Sequence, residues 1–195
     1  GTHSTLAYLG YLMGRPTVAE AMGEPGLARL DEEMMFAEIG PTLPPLAGFD
    51  LDGYRRSLLT RYRNPALKHR TWQIAMDGSQ KLPQRLLGTI RDRLAAGRPI
   101  DRLALGVAAW MRYVTGIDET GAPIDVRDPL SQRLRALADT AGPTAARLAP
   151  ALLGVREIFG DDLATDPRFV AAVETALDRI FTFGARGAIE RTLAE

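Results

Sequence analysis

The sequence predicts an all-α fold, one domain of about eight to ten helices at a mean helix length of about 11–12 residues. Three observations predict it. Apolar residues recur at helical spacing along most of the 195 residues, capping residues mark the starts of several of these runs, and long alternating strands are missing. At 46% hydrophobic, the chain can fill one core and is short for two.

The elements follow in order. Leu6, Leu9 and Met13 repeat at i, i+3, i+7, and Tyr8 and Leu12 add a second apolar side. A helix apolar on most sides wants burial, and a buried helix at the very start suggests a fragment of a longer chain. Residues 40–50, with Pro41, Pro44, Pro45 and Gly48, read as a loop. Asp50 is an N-cap for a helix with Leu51, Tyr54, Leu58, Leu59 and Tyr62 on one face. Residues 66–77 read as a helix that lines Arg70, Gln73 and Asp77 on one polar stripe, with His69 at its edge and Leu67, Ile74 and Ala75 towards the core. Gly78 fits a left-handed helix stop, and Lys81 then projects from a short loop. Pro83 suits the first turn of a helix through Leu86, Leu87, Ile90 and Leu94.

Asp101 opens a strongly apolar helix through Leu103, Val107, Trp110, Met111 and Val114, closed by Gly116. Gly116 to Pro129 reads as a loop. Pro129 leads Leu130, Leu134 and Leu137. Asp166-Pro167 is an N-cap and first-turn pair before Phe169, Val170, Val173, Leu177, Ile180 and Phe181, and a last short helix covers Ala185 to Ala194. There is no internal repeat and no low-complexity tract.

Charge is balanced overall, 24 basic against 24 acidic residues, but it is unevenly placed. Residues 1–49 carry two bases and six acids, net −4; residues 50–100 carry eleven bases and four acids, net +7; residues 101–195 carry eleven bases and fourteen acids, net −3. The centre is a basic island that could attract a phosphate, a carboxylate or a nucleic-acid backbone. Charge alone favours the plainer reading, Arg on exposed helix faces paired with acids elsewhere. Zero Cys excludes a disulfide scaffold, Cys-ligated zinc, iron–sulfur clusters and thiol catalysis. The two His lie 66 positions apart, which disfavours a tight zinc site. No apolar run approaches the roughly 18 residues of a spanning helix. No leader marks the chain for secretion, so a cytoplasmic setting is expected. GxGxxG, GxxxxGK[ST] and GxSxG motifs are all missing.

One block stands out, His69-Arg70-Thr71-Trp72-Gln73-Ile74-Ala75-Met76-Asp77-Gly78-Ser79-Gln80-Lys81-Leu82-Pro83. A polar stripe that ends in a turn beside an amine is a wall suited to a hydroxyl-rich ligand. Arg offers a fork for a carboxylate, Gln a donor and an acceptor, Lys a point charge. An ordinary amphipathic helix with a capped end has the same spacing, and spacing alone favours that plainer alternative.

The block from Asn64 to Arg85, together with His3-Ser4-Thr5-Leu6-Ala7-Tyr8-Leu9-Gly10-Tyr11-Leu12, resembles the C-terminal domain of the mannitol dehydrogenase family. This is the group of polyol-specific long-chain dehydrogenases that includes mannitol 2-dehydrogenases and fructuronate (mannonate) reductases. Gly116-Ile117-Asp118-Glu119, Asp128-Pro129 and Val155-Arg156-Glu157-Ile158-Phe159-Gly160 extend the resemblance in order over nearly the whole chain. The resemblance implies a two-domain enzyme. Residues 1–195 would be its helical, 6-phosphogluconate dehydrogenase-like substrate domain, and an N-terminal Rossmann domain, outside this chain, would bind NAD or NADP. The family signature is a Lys, four residues, an Asn, two residues and a His. His3 matches that His, whose implied catalytic role is to hydrogen-bond and orient the substrate. The Asn and the general-base Lys would fall before Gly1.

By the same resemblance Lys81 contacts substrate hydroxyls. Only two of the 24 basic residues are Lys, and one of them stands here; Lys68 is given no role. Gln73 departs from the Arg of mannitol 2-dehydrogenases and suits the fructuronate reductase branch, where a relocated Arg70 could meet a keto-uronate carboxylate. His69 is left unassigned. The implied ligand is a polyol, ketose or keto-uronate, handled without a metal, a membrane or nucleic acid, and the fragment alone is expected to be inactive. Two other classes are weighed. A nucleic-acid module could use Arg55, Arg56, Arg61, Arg63, Lys68 and Arg70, but the zero net charge disfavours it. A helical binding or oligomerisation module without a site would be favoured if His3 and Lys81 fail to share one cleft.

Overall fold

A computed structural model describes residues 1–44 and 48–195. Among them are α1 (Thr2–Leu12), α2 (Val18–Met22), α3 (Pro25–Glu33), α4 (Leu51–Tyr62), α5 (Thr71–Ala75), α6 (Gly78–Leu82), α7 (Gly88–Ala95), α8 (Asp101–Val114), α9 (Ser131–Ala141), α10 (Ala145–Leu153), α11 (Arg156–Thr165) and α12 (Pro167–Thr192), joined by short 3₁₀ and π-helical turns. The described residues form no sheet, only isolated bridges between Thr17 and Arg70 and between Ile117 and Pro123. The all-α expectation holds, with five helices (α2, α3, α6, α10 and α11) that the apolar spacing did not single out. Pro45, part of the expected 40–50 loop, lies outside the described residues.

α8 is the centre. It carries charge only at Asp101, Arg102 and Arg112, so its remaining surface can be satisfied only by burial. Leu103, Val107, Trp110 and Met111 are fully buried, and each such side chain contributes about 1.5–3 kcal/mol relative to exposure. α1 and α12 pack on it. α1 can lie close because residue 106 is Gly: a Cβ there would fall 2.4 Å from Thr5 Oγ1.

Burying helix starts leaves their first N–H groups without water. Three starts are capped locally, α2 by Thr17 and two more by the residues the sequence predicts. Asp50 accepts from Gly53 N at 2.8 Å, and Asp166 accepts from Arg168 N at 2.9 Å. Three more are capped by acids remote in sequence. Glu38, 1% exposed, accepts from Arg102 N at 3.0 Å and Leu103 N at 2.9 Å at the start of α8. Asp128 accepts from Ser79 N at 2.7 Å at the start of α6. Glu119 accepts from Ala185 N at 2.5 Å, just past Gly184, whose φ of +69° breaks α12 where the sequence places a separate last helix.

The expected helix over 66–77 is a correction. Pro65–Leu67 form a 3₁₀ turn, Lys68 has φ +32°, and Arg70 is extended before the five-residue α5. Thr71 N donates to Pro16 O at 3.0 Å and Val18 N to His69 O at 2.9 Å. This tertiary pairing outweighs local helical preference, and it leaves Leu67 36% exposed rather than turned to the core. Asp77, not Gly78, takes the left-handed conformation, with φ +55°. Gly78 opens α6, so Lys81 is helical rather than in a loop, and Pro83 lies inside a helical run rather than in a first turn. The π-helical turn Pro83–Leu87, closed by Gly88 N–H on Pro83 O, absorbs the missing proline donor. No helix among the described residues is long and apolar enough to cross a membrane.

Gly78 has no room for a side chain, since a Cβ would sit 2.4 Å from Trp110 Nε1 and 2.5 Å from Tyr8 Oη, both on fully buried rings. Gly78→Ala is expected to cost about 1–3 kcal/mol. Gly88→Ala, whose nearest neighbour would be Pro83 O at 3.8 Å, should be neutral or stabilising by about 0.5–1 kcal/mol. Urea denaturation of the two variants checks the contrast.

Candidate functional site

His3 stands in the first turn of α1, half-buried. Its ring stacks on Tyr62 of α4, with centroids 4.9 Å apart and planes 8° apart, and meets His69 edge-on at 6.2 Å. Among the described residues its buried Nε2 has no hydrogen-bond partner. A buried polar atom left open is unusual and marks a place for a ligand atom or a water. The three rings form a wall of a cleft of about 670 Å³, completed by Arg61, Arg85, Met35 and Leu58 among others. No acidic side chain is among the lining residues. Arg55 also lines it, but its guanidinium is held by Asp52 at 2.7 Å and lies over the Phe36 ring, so it is a packed group and not a free base of the central island.

Burial lowers the proton affinity of His3 most, and the neighbouring His69, Arg85, chain amine and Arg61 add repulsion, together pushing its pKa down to about 4. The imidazole is therefore neutral at pH 7, with one nitrogen a donor and the other an acceptor.

The pairing of residues 16–18 with 69–71 decides what enters this cleft. Side chains of extended backbone alternate sides. His69 faces His3, and Arg70 lines a second cleft of about 920 Å³ with Arg63, Lys68, Trp72 and Glu20. Among the described residues none of Arg63, Lys68 and Arg70 forms an ion pair with an acid. Gln73 is exposed and lines neither cleft. Lys81 lies about one helical turn before Arg85, outside the lining of the His3 cleft. Its ammonium donates to Met76 O at 2.6 Å and Ile74 O at 3.3 Å, closing the end of α5 and leaving one of three donors free. The four residues singled out from the sequence therefore do not converge. The structure adds Tyr62, His69, Arg61 and Arg85 to His3. The +7 central segment was the signal for the two Arg, while the stack on Tyr62 had none.

The described residues form an all-helical domain with an unpaired, buried imidazole nitrogen at the wall of an acid-free cleft. The profile of the mannitol dehydrogenase C-terminal domain matches residues 1–181, and the chain belongs to that family. An uncharacterized oxidoreductase of Escherichia coli, YeiQ, is 50% identical over 195 residues, covering 99% of this chain and 39% of its own length. D-mannonate oxidoreductase of the same organism is 47% identical over 95% of this chain and 38% of its own length. Among solved structures, Pseudomonas fluorescens mannitol 2-dehydrogenase in ternary complex with NAD and D-mannitol superposes with a TM-score of 0.93 at 33% identity, covering 100% of this chain and 39% of that one. The chain thus spans about two fifths of the length of these relatives.

An NMR titration of His3 should show its inflection near pH 4, against an ordinary value of 6.5. Folded His3 holds its proton less tightly than the unfolded chain does. The unfolded state therefore binds more protons between these values, and the stability His3 contributes is present above pH 6.5 and lost as pH falls towards 4. His3→Phe should flatten that part of the stability curve; an unchanged curve contradicts the assignment.

Proposed function

We propose that this chain is the substrate-binding domain of an NAD(P)-dependent oxidoreductase that moves hydride between nicotinamide and the C2 alcohol or ketone of a sugar. Within that class we favour a sugar acid (mannonate or fructuronate) over a neutral polyol or ketose. The observation that carries the reading is the unpaired His3 Nε2 at the wall of a cleft lined by Arg61 and Arg85 and by no acid. Family membership and the identity to D-mannonate oxidoreductase support it.

The chain shows no Gly-rich phosphate loop. The dinucleotide is assigned to a separate Rossmann domain, which would also bring the general-base Lys and the Asn of the family signature. When bound, the nicotinamide supplies or accepts the hydride. This chain's residues orient the acceptor carbon. Neutral His3 can accept from, or donate to, a substrate hydroxyl at Nε2. Arg61 and Arg85 offer forks for a carboxylate. The free donor of Lys81 can meet a further hydroxyl. Arg70 and Gln73 are left out of the substrate contacts, and a cytoplasmic setting belongs to the same proposal. One observation favours the alternative of a helical binding or oligomerisation module: Lys81 does not line the His3 cleft.

The test is turnover of fructuronate and of fructose by this chain joined to its dinucleotide domain. His3→Ala should lower kcat/KM on both substrates by about a hundredfold. Arg85→Ala should raise KM for fructuronate by about tenfold and leave fructose unchanged, as expected for one lost charge-assisted bond. Equal effects on both substrates contradict the carboxylate role, and no turnover of either by the unmutated protein contradicts the enzyme reading.

A further inference from the structure

Most arginines of this chain are held by a partner. Among the described residues every Arg of residues 1–49 and 101–195 meets an acid, a backbone carbonyl or an aromatic ring. In the central segment Arg55, Arg91, Arg93 and Lys81 are held in the same way. The cations left without such a partner among the described residues are Arg56, Arg98 and those that line the two clefts. Unpaired positive charge therefore gathers in concave sites, where it focuses the field on a ligand. The pair in the first cleft, Arg61 and Arg85, has a role in the sugar-acid reading. The set in the second, Arg63, Lys68 and Arg70, has none.

The second cleft, of about 920 Å³, falls in the range of roughly 300–1,000 Å³ found for small-molecule sites. Its cations come from three backbone settings. Arg63 follows the end of α4, Lys68 lies at φ +32°, and Arg70 is extended and bridged to Thr17. Thr71, fully buried, pins this floor: its hydroxyl donates to Arg15 O at 2.8 Å and its N–H to Pro16 O at 3.0 Å. The single acid in the lining, Glu20, accepts from Thr17 Oγ1 at 2.8 Å. Three cations against one acid leave the lining at +2. A phosphate monoester carries about −1.5 to −2 at neutral pH, whereas a carboxylate brings a single charge. Two Arg forks and a Lys point charge suit the oxygens of one phosphoryl group. Trp72 adds a fixed aromatic wall, with the Arg127 guanidinium over its ring at 4.7 Å and its Nε1–H donating to Asp125 O at 2.8 Å.

We propose that the second cleft is a binding site for a dianionic phosphoryl group, carried by a small phosphorylated molecule or free as phosphate. Arg63, Lys68 and Arg70 take the oxygens, and Trp72 stands beside the rest of the ligand. The site is separate from the His3 cleft, because His69 and Arg70 line different clefts. It goes beyond the oxidoreductase reading and does not rest on it.

The test titrates inorganic phosphate and glucose 6-phosphate into the 195-residue chain at neutral pH and constant ionic strength, with gluconate as the carboxylate control. The chain has two Trp, and Trp110 is fully buried in α8, so the Trp72 indole resonance reports on the cleft. That resonance should shift saturably with both phosphate probes while Trp110 stays in place. Tighter binding of glucose 6-phosphate assigns the site to a phosphate ester; equal affinities assign it to free phosphate. Gluconate should bind about tenfold more weakly than glucose 6-phosphate. Arg70→Ala and Lys68→Ala, both at exposed side chains, should each weaken phosphate by about tenfold, as expected for a lost charge-assisted bond. Arg56→Ala, an exposed free cation outside both clefts, should leave it unchanged. Trp72 unmoved by either phosphate probe overturns the proposal. So does gluconate binding as tightly as glucose 6-phosphate, or a loss in Arg56→Ala equal to that in Arg70→Ala and Lys68→Ala.

Discussion

The structure depends on burying helix starts without leaving their N–H groups unpaired. A central helix as apolar as α8 must be enclosed, and enclosure removes the water that would otherwise satisfy its first turn. The chain answers with carboxylates carried in from elsewhere. Glu38 reaches α8, Asp128 reaches α6 and Glu119 reaches the segment after Gly184. Each of these contacts ties two distant segments together, so it fixes tertiary geometry as well as a helix end. Burial raises the Glu38 and Glu119 carboxyls, and their N–H partners oppose the shift, which is the balance expected of acids held in place by what they cap.

The same constraint places the site. α1 packs on α8 because Gly106 lets it approach, and its buried start delivers His3 to a cleft edge. The extended pairing of 69–71 with 16–18 then turns His69 towards His3 and Arg70 away from it. One short stretch of non-helical backbone divides the basic island between two clefts. In the first, burial above all, helped by repulsion from His69, Arg85 and Arg61, keeps the His3 imidazole neutral; in the second, Arg63, Lys68 and Arg70 gather.

Much of the fold was legible because it is locally encoded. Asp50 and Asp166 cap their own helices, Gly116 ends the α8 segment with φ +75°, and the apolar spacing of Leu103, Val107 and Trp110 reads directly as a buried face. The errors fall where distant residues decide. Nothing between 66 and 77 reveals that Pro16 and Val18 hold that backbone extended, so a plausible helical stripe of Arg70, Gln73 and Asp77 was read instead. Pro83 resembles a first-turn residue because a π-helical turn is not written in any short motif. His3 came from resemblance and lies in a cleft. Tyr62 and His69 required the tertiary stack to be seen.

The central claim is that a sugar acid sits in the His3 cleft with its carboxylate towards Arg61 and Arg85. A crystal structure of this chain joined to a dinucleotide domain, with bound mannonate, tests it most directly. The account predicts a substrate hydroxyl within about 3 Å of His3 Nε2, an ordinary hydrogen-bond distance, and the carboxylate on Arg61 or Arg85. Mannonate held instead between Arg63, Lys68 and Arg70, with His3 untouched, would contradict it.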